Sequence, residues 1–184
     1  PGETRIEGLV FSEIPARQAS GGIWDSVELR EVPALYLDDP DKVFIRPDPA
    51  TGLIRVRAWV RNAGTGTVEG SLKITVNPDG LEAAFNHTFP CGVTQLDEQI
   101  PVPNCRLWDI NDPYLYTIRT KVRETGSVSY DAQTSRCGFR TFRFVNGFFQ
   151  LNGRPIYLHG AVSTNWNMVG CRPPYDPNLV CQDI

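Results

Sequence analysis

Between Trp24 and Phe144 the apolar residues recur at every second position and nowhere at helical spacing. A helix needs an apolar stripe with a period of 3.6, whereas alternation lines one face of a strand. Residues 53–61 are the clearest case. Ile54, Val56, Ala58 and Val60 fall on one face, and Arg55, Arg57, Trp59 and Arg61 on the other. Leu72, Ile74 and Val76 alternate with Lys73 and Thr75, and Tyr116, Ile118, Thr120 and Val122 alternate with Thr117, Arg119, Lys121 and Arg123. Turn chemistry separates these runs at 62–66, at Pro78-Asp-Gly80 and at Gly126. Shorter strands are expected at 27–32, at 43–46 (stopped by Pro47-Asp-Pro49), at 85–89, at the proline-flanked edge 99–102, at 128–130 and at 137–144. About seven strands at regular spacing, with no internal repeat, predict an all-β sandwich.

Two Asn-Gly pairs punctuate the C-terminal third, Asn146-Gly147 and Asn152-Gly153, each between short apolar runs. Asn-Gly accepts the positive φ angles of a two-residue hairpin turn, so the segment reads as back-to-back hairpins. In the second, Phe148, Phe149 and Leu151 lead in and Ile156, Tyr157 and Leu158 lead out.

The stretch from Gly138 to Gly160, "GFRTFRF" followed by "GFFQLNGRPIYLHG", resembles glycoside hydrolase family 2, the β-galactosidase, β-glucuronidase and β-mannosidase group. Gly22-Ile-Trp-Asp-Ser-Val-Glu-Leu29 and Leu107-Trp-Asp-Ile-Asn-Asp-Pro-Tyr-Leu-Tyr116 agree with it and stand in the family's order. The resemblance implies an immunoglobulin-like sandwich over 24–142. Residues 1–23 would be the tail of a preceding sugar-binding jelly roll. Residues 143–184 would be a linker hairpin and the first strand and helix of a truncated (β/α)8 barrel. On that reading both ends look cut, since the chain begins at Pro1 and ends at Ile184 in an expected helix. The signature of a true immunoglobulin domain is missing: Cys91, Trp108 and Cys137 come closest, but Ser135 stands where a tyrosine belongs.

The resemblance also implies a parent that hydrolyses terminal β-glycosides with retention. Such chemistry needs a nucleophilic carboxylate and a second acid/base carboxyl group about 5–5.5 Å from it. In the family both are Glu on later barrel strands, one of them after an Asn, and this sequence contains no Asn-Glu dipeptide. Its acidic residues read as solvated surface charges. The piece is therefore expected to carry no catalytic residue and to be no enzyme itself, its partners being the parent's flanking domains and, for the parent, a carbohydrate. Relatives often continue with Arg-His-Glu after the first barrel strand; here the chain reads Gly160-Ala-Val-Ser-Thr-Asn-Trp166. Asn165 as hydrogen-bond donor and Trp166 as stacking platform are the substrate-binding candidates for the parent. His159 reads as a packed residue, and Trp108 with Tyr114 and Tyr116 as a packed corner. Asn86-His-Thr88 fits the N-glycosylation pattern.

Composition narrows the alternatives. A net charge of −3 with no basic run gives no reason to expect nucleic acid or an anionic membrane surface. No apolar run approaches the ~20 residues of a membrane-spanning helix. Five cysteines without a Cys-x-x-Cys pair, and two isolated histidines, argue against a metal site, and no cofactor is expected. The cysteines read as free thiols, with Cys91–Cys105 the pair open to bridging in a secreted parent. The compartment stays open between cytoplasmic, periplasmic and secreted. Two other readings use the same sandwich: a carbohydrate-binding module displaying Trp59 and Trp166, and a cell-surface interaction module. Without the rest of a barrel, Phe148, Phe149, Ile156, Tyr157 and Leu158 would form an exposed apolar patch, so a homodimer, or residues 161–184 folding back over it, is expected.

Overall fold

The structure, a computed structural model, describes residues 27, 29–38 and 42–160. The expected jelly-roll tail at 1–23 and the barrel segment beyond Gly160 lie outside the described residues, as do Asn165 and Trp166. All strands described belong to the compact unit Arg30–Leu158.

Two antiparallel sheets face each other. In the first, β3 (Leu53–Asn62) is central, with β6 (Gly92–Pro101) along one edge. Its other edge is shared by two short strands placed one after the other, β1 (Leu35–Leu37) and β2 (Phe44–Asp48). The second sheet has the order β5-β4-β7-β8, formed by β4 (Val68–Asn77), β5 (Leu81–Phe89), β7 (Tyr116–Glu124) and β8 (Asp131–Cys137). The alternation decides which side chains meet between them. Ile54, Val56, Ala58 and Val60 from β3 are fully buried, as are Leu72, Ile74 and Val76 from β4 and Ile118 and Val122 from β7. The all-β sandwich is therefore as the periodicity demands, with eight strands.

Three local expectations are corrected. Residues 27–32 form no strand among those described, and Val27 and Leu29 are exposed. The reason is the length of the partner: beyond the bond from Ala63 N–H to the Ala34 carbonyl, β3 has ended in the 64–66 turn, so earlier residues have no ladder to join. The strand expected at 128–130 begins instead at Asp131, paired with Val122, because the β7–β8 connection is a long loop around Gly126. Val128 is correspondingly exposed. Residues 137–144 are not one strand. β8 ends at Cys137, and Phe139 forms a single parallel bridge to Leu107 while its carbonyl accepts from Trp108 N–H at 2.8 Å. Trp108 thus captures the backbone where a continuous strand would have run.

After that bridge comes a three-stranded meander of β9 (Phe142–Val145), β10 (Phe148–Leu151) and β11 (Arg154–Ile156). Its turns are the two Asn-Gly pairs. Asn146 and Asn152 both have φ of 50°, and Gly147 and Gly153 have φ of 83° and 77°, the paired positive values of a type I′ turn.

Cys91, Cys105 and Cys137 are all free thiols. The ten-residue β6 separates Cys91 from Cys105, a run of about 33 Å at ~3.3 Å per residue. A bridge would need their Cα atoms within about 7 Å. Burial pushes the Cys137 thiol up to about 11, whereas Cys91 is exposed. Since the thiolate is the nucleophile, Cys137 should present about a hundredfold less of it than an unperturbed thiol. Alkylation mapped by mass spectrometry on the native chain at pH 8 should modify Cys91 readily and leave Cys137 untouched until urea unfolds the protein. Equal labelling of the two would contradict the burial.

Candidate functional site

Among the described residues, the junction between sandwich and meander gathers several long-range polar contacts. Tyr116, the first residue of β7, is buried, and its hydroxyl accepts from the Arg106 backbone N–H at 2.8 Å. This is a tyrosine corner, in which a phenol locks a preceding loop onto the sandwich. In an immunoglobulin domain that tyrosine stands two residues before the second cysteine, a position held here by Ser135. It sits instead at the start of the neighbouring strand, and Tyr116 pairs directly with Cys137. Burial is the main cause that raises the Tyr116 phenol above its ordinary range.

Aromatic rings extend the corner. Tyr114 and Phe139 meet Tyr116 edge-on at 5.1 and 5.4 Å. Arg106 lies 4.4 Å over the Tyr114 ring and is tied to Asp112 by two hydrogen bonds of 2.9 and 2.7 Å. Trp108 is half-buried against Gly138, where an added Cβ would stand 2.8 Å from the Trp108 Cβ, and Arg140 covers its ring at 4.8 Å. The aromatics at 108, 114 and 116 are thus engaged in packing and present no open platform.

Asn152 fastens the meander to this corner. Its Nδ2 donates to the Trp108 carbonyl at 2.9 Å, and its Oδ1 accepts from Thr141 N–H at 3.0 Å. Its own N–H donates to the Thr141 carbonyl at 2.9 Å, and the Arg154 guanidinium pairs with Asp109. One face of the meander collects Phe142, Phe144, Phe149, Leu151 and Ile156, because cross-strand pairing aligns Phe144, Phe149 and Ile156 and joins Leu151 to Phe142. Leu151, nearest the sandwich, is buried; Phe142, Phe144 and Phe149 are 49%, 66% and 38% exposed. The rings pack on one another, Phe142 stacked on Phe149 at 5.5 Å and Phe144 edge-on to Phe149 at 5.1 Å. Tyr157 and Leu158 beyond β11 are exposed as well. Such an open aromatic face on a strand meander is the surface most in need of a partner.

The remaining candidates are scattered. His159 is exposed, against the expectation of a packed residue: it follows the end of β11, where no described strand lies beyond to cover it. Trp59 sits half-buried on the outer face of the first sheet, edge-on to Phe44 at 5.8 Å. Asn86 is exposed on β5, and His87 lies within ion-pair distance of Glu98. Among the described residues no three His, Cys, Asp or Glu side chains gather as a metal set. The acidic residues are mostly surface groups, as expected, and the Arg55 and Arg57 guanidinium groups hold the Asp97 carboxyl below its usual range. Asp131 is the exception that charge patterning did not reveal. Its buried carboxylate accepts from Leu37 N–H and Ala132 N–H, both at 2.9 Å, and pairs with Arg30.

With this geometry in hand, likenesses to known proteins fall into place. The model of the family described as "Glycosyl hydrolases family 2" matches residues 35–140, more than half of the chain, from the first sandwich strand to just past Phe139. A curated β-galactosidase, BgaC of Bifidobacterium adolescentis, is 36% identical over 147 residues, covering 76% of this chain and 14% of that protein. The β-glucuronidase of Chlorocebus aethiops is 28% identical over 153 residues, covering 76% of this chain and 21% of that protein. This chain therefore spans about a fifth or less of the length of these two relatives. Among solved structures, a Bacteroides uniformis β-glucuronidase superposes with a TM-score of 0.69 at 24% identity, over 83% of this chain and 20% of that one, a likeness of fold.

Proposed function

The chain belongs to glycosyl hydrolase family 2, and from that premise we propose that it is the non-catalytic β-sandwich domain of a β-glycosidase, bracing the catalytic domain through the aromatic face of its meander. The observation that carries this reading is the contrast within one unit. The sandwich buries the inward-facing apolar residues of β3, β4 and β7 and exposes apolar side chains only singly, such as Phe44 and Val93, while Phe142, Phe144 and Phe149 stand open together on strands that the Asn152 clamp fixes in place. A rigid, aromatic, uncovered face suits a docking domain whose contact stays dry. The parent is a β-glycosidase, a reading supported by the β-galactosidase and β-glucuronidase relatives, and hydrolysis of terminal sugars with retention is what the family resemblance implies for it. Its nucleophile and acid/base lie outside this chain, which carries no Asn-Glu dipeptide. Asn165 and Trp166, outside the described residues, are our candidates for contact with the parent's substrate.

The purified chain is expected to release no nitrophenol from aryl β-galactosides or β-glucuronides above the buffer rate. Hydrolysis that co-purifies with the chain and disappears on its unfolding would overturn the non-catalytic assignment.

A further inference from the structure

Two open clefts, of about 480 and 700 Å3, share Pro47 and Arg140 in their walls and form one groove along the flank of the sandwich. Five guanidinium groups line it, from Arg46, Arg55, Arg136, Arg140 and Arg143. Arg55 is already committed, its Nη2 donating to Asp97 Oδ2 at 2.6 Å. Among the described residues none of the other four is in an ion pair. Asp48 is the one carboxylate in the walls; it accepts from Ala50 N–H at 3.0 Å and Thr51 Oγ1 at 2.9 Å, and these bonds, with help from Arg46, hold it below its usual range. Arg46 stands directly across the ladder from Arg55, a like-charge pairing that costs stability. A chain of net charge −3 thus concentrates an excess of positive charge in a single groove, five arginines against the one carboxylate of Asp48 in its walls.

The chemistry of the walls selects among anions. Guanidinium groups match carboxylates in planar, two-point fashion. Phe142 lines the same groove and stacks on Phe149, so basic groups stand beside an exposed aromatic face. Arginine next to aromatic rings is the composition enriched at the centres of protein interfaces. A sugar would want a broad uncovered ring face to stack on; the Trp108 ring in this groove is covered by Arg140, and the Phe142 ring is stacked on Phe149.

We propose that the groove binds an acidic polypeptide segment, seating its carboxylates on Arg46, Arg140 and Arg143 and an apolar side chain beside Phe142. The proposal adds a ligand chemistry to the bracing role and is tested by binding to this chain alone, so its failure leaves the catalytic question untouched.

The experiment is a fluorescence anisotropy titration of the full chain with a labelled poly-glutamate peptide carrying one phenylalanine, at low and at physiological salt. Saturable binding that weakens as salt rises is expected. The double variant Arg140→Glu, Arg143→Glu should lose affinity about tenfold or more, and Arg140→Gln with Arg143→Gln should lose it in the same direction should the reversal disturb folding. Arg119→Glu with Arg123→Glu makes the same charge change on exposed positions of β7 and should stay within about twofold of the parent affinity. Absence of saturable binding would overturn the proposal, as would equal losses in the two double reversals. Tighter binding of trigalacturonate than of the peptide would also overturn it, in favour of an acidic glycan.

Discussion

Replacing Asp131 with alanine is expected to destabilise the sandwich by about 3 kcal/mol, because a buried backbone donor and a half-exposed guanidinium lose their acceptor together. The Leu37 N–H is the more costly orphan: Leu37 is fully buried, and Asp131 Oδ2 is the side-chain acceptor that reaches its N–H. Arg30 is 37% exposed and can turn to water, so its share is smaller. Asparagine is an informative second variant. Both carboxylate oxygens only accept, one from Leu37 and the other from Ala132 and Arg30. An amide must present its NH2 to one of those donors, so Asp131→Asn should recover only part of the loss and cost about 2 kcal/mol. Urea unfolding of the two variants decides the matter. An Asp131→Asn chain as stable as the parent would mean that shape, and not the doubly accepting carboxylate, holds β1 to β8.

That residue also marks where reading the sequence runs out. β3, β4 and β7 were legible because each buries one whole face, so their alternation is written in consecutive residues. β1 was not, since three residues are too few to show a period and its place depends on how far β3 extends. Asp131 sits in an unremarkable stretch, and its burial follows from Arg30 and Leu37, 101 and 94 positions away. The tyrosine corner is not legible from the cysteine spacing, which points to Ser135; this sandwich lacks the cysteine pair, and the hydroxyl of Tyr116, a residue expected only to pack, does the locking. The arginine groove was invisible for the same reason, its members being spread from β2 to β9 with no run of basic residues. Turn chemistry fared best. Asn-Gly dictates positive φ locally, and both such turns stand where the dipeptides do.

Those two turns share the Asn-Gly sequence and nearly the same φ angles, which makes them a matched pair for the second large effect. Asn146 is exposed, whereas the Asn152 side chain bridges the Trp108 carbonyl and the Thr141 N–H. Alanine at either site pays the left-handed backbone penalty of about 1 kcal/mol. At Asn152 it also removes two hydrogen bonds and leaves a half-buried N–H without its acceptor, for a total of about 3 kcal/mol. Glycine separates the two contributions, because it accepts positive φ freely and has no side chain to donate or accept. Asn146→Gly should therefore be close to neutral, while Asn152→Gly should still lose about 2 kcal/mol. The loss should appear as faster amide hydrogen exchange across 142–156, the whole meander, with the core strands β3, β4 and β7 unchanged, since the clamp joins the meander to the loop at Trp108 and not to the sheets. If Asn152→Gly exchanged no faster there than Asn146→Gly, the side-chain clamp would carry no weight. The rigid presentation of Phe142, Phe144 and Phe149, on which the bracing role depends, would then have to come from the turn geometry alone.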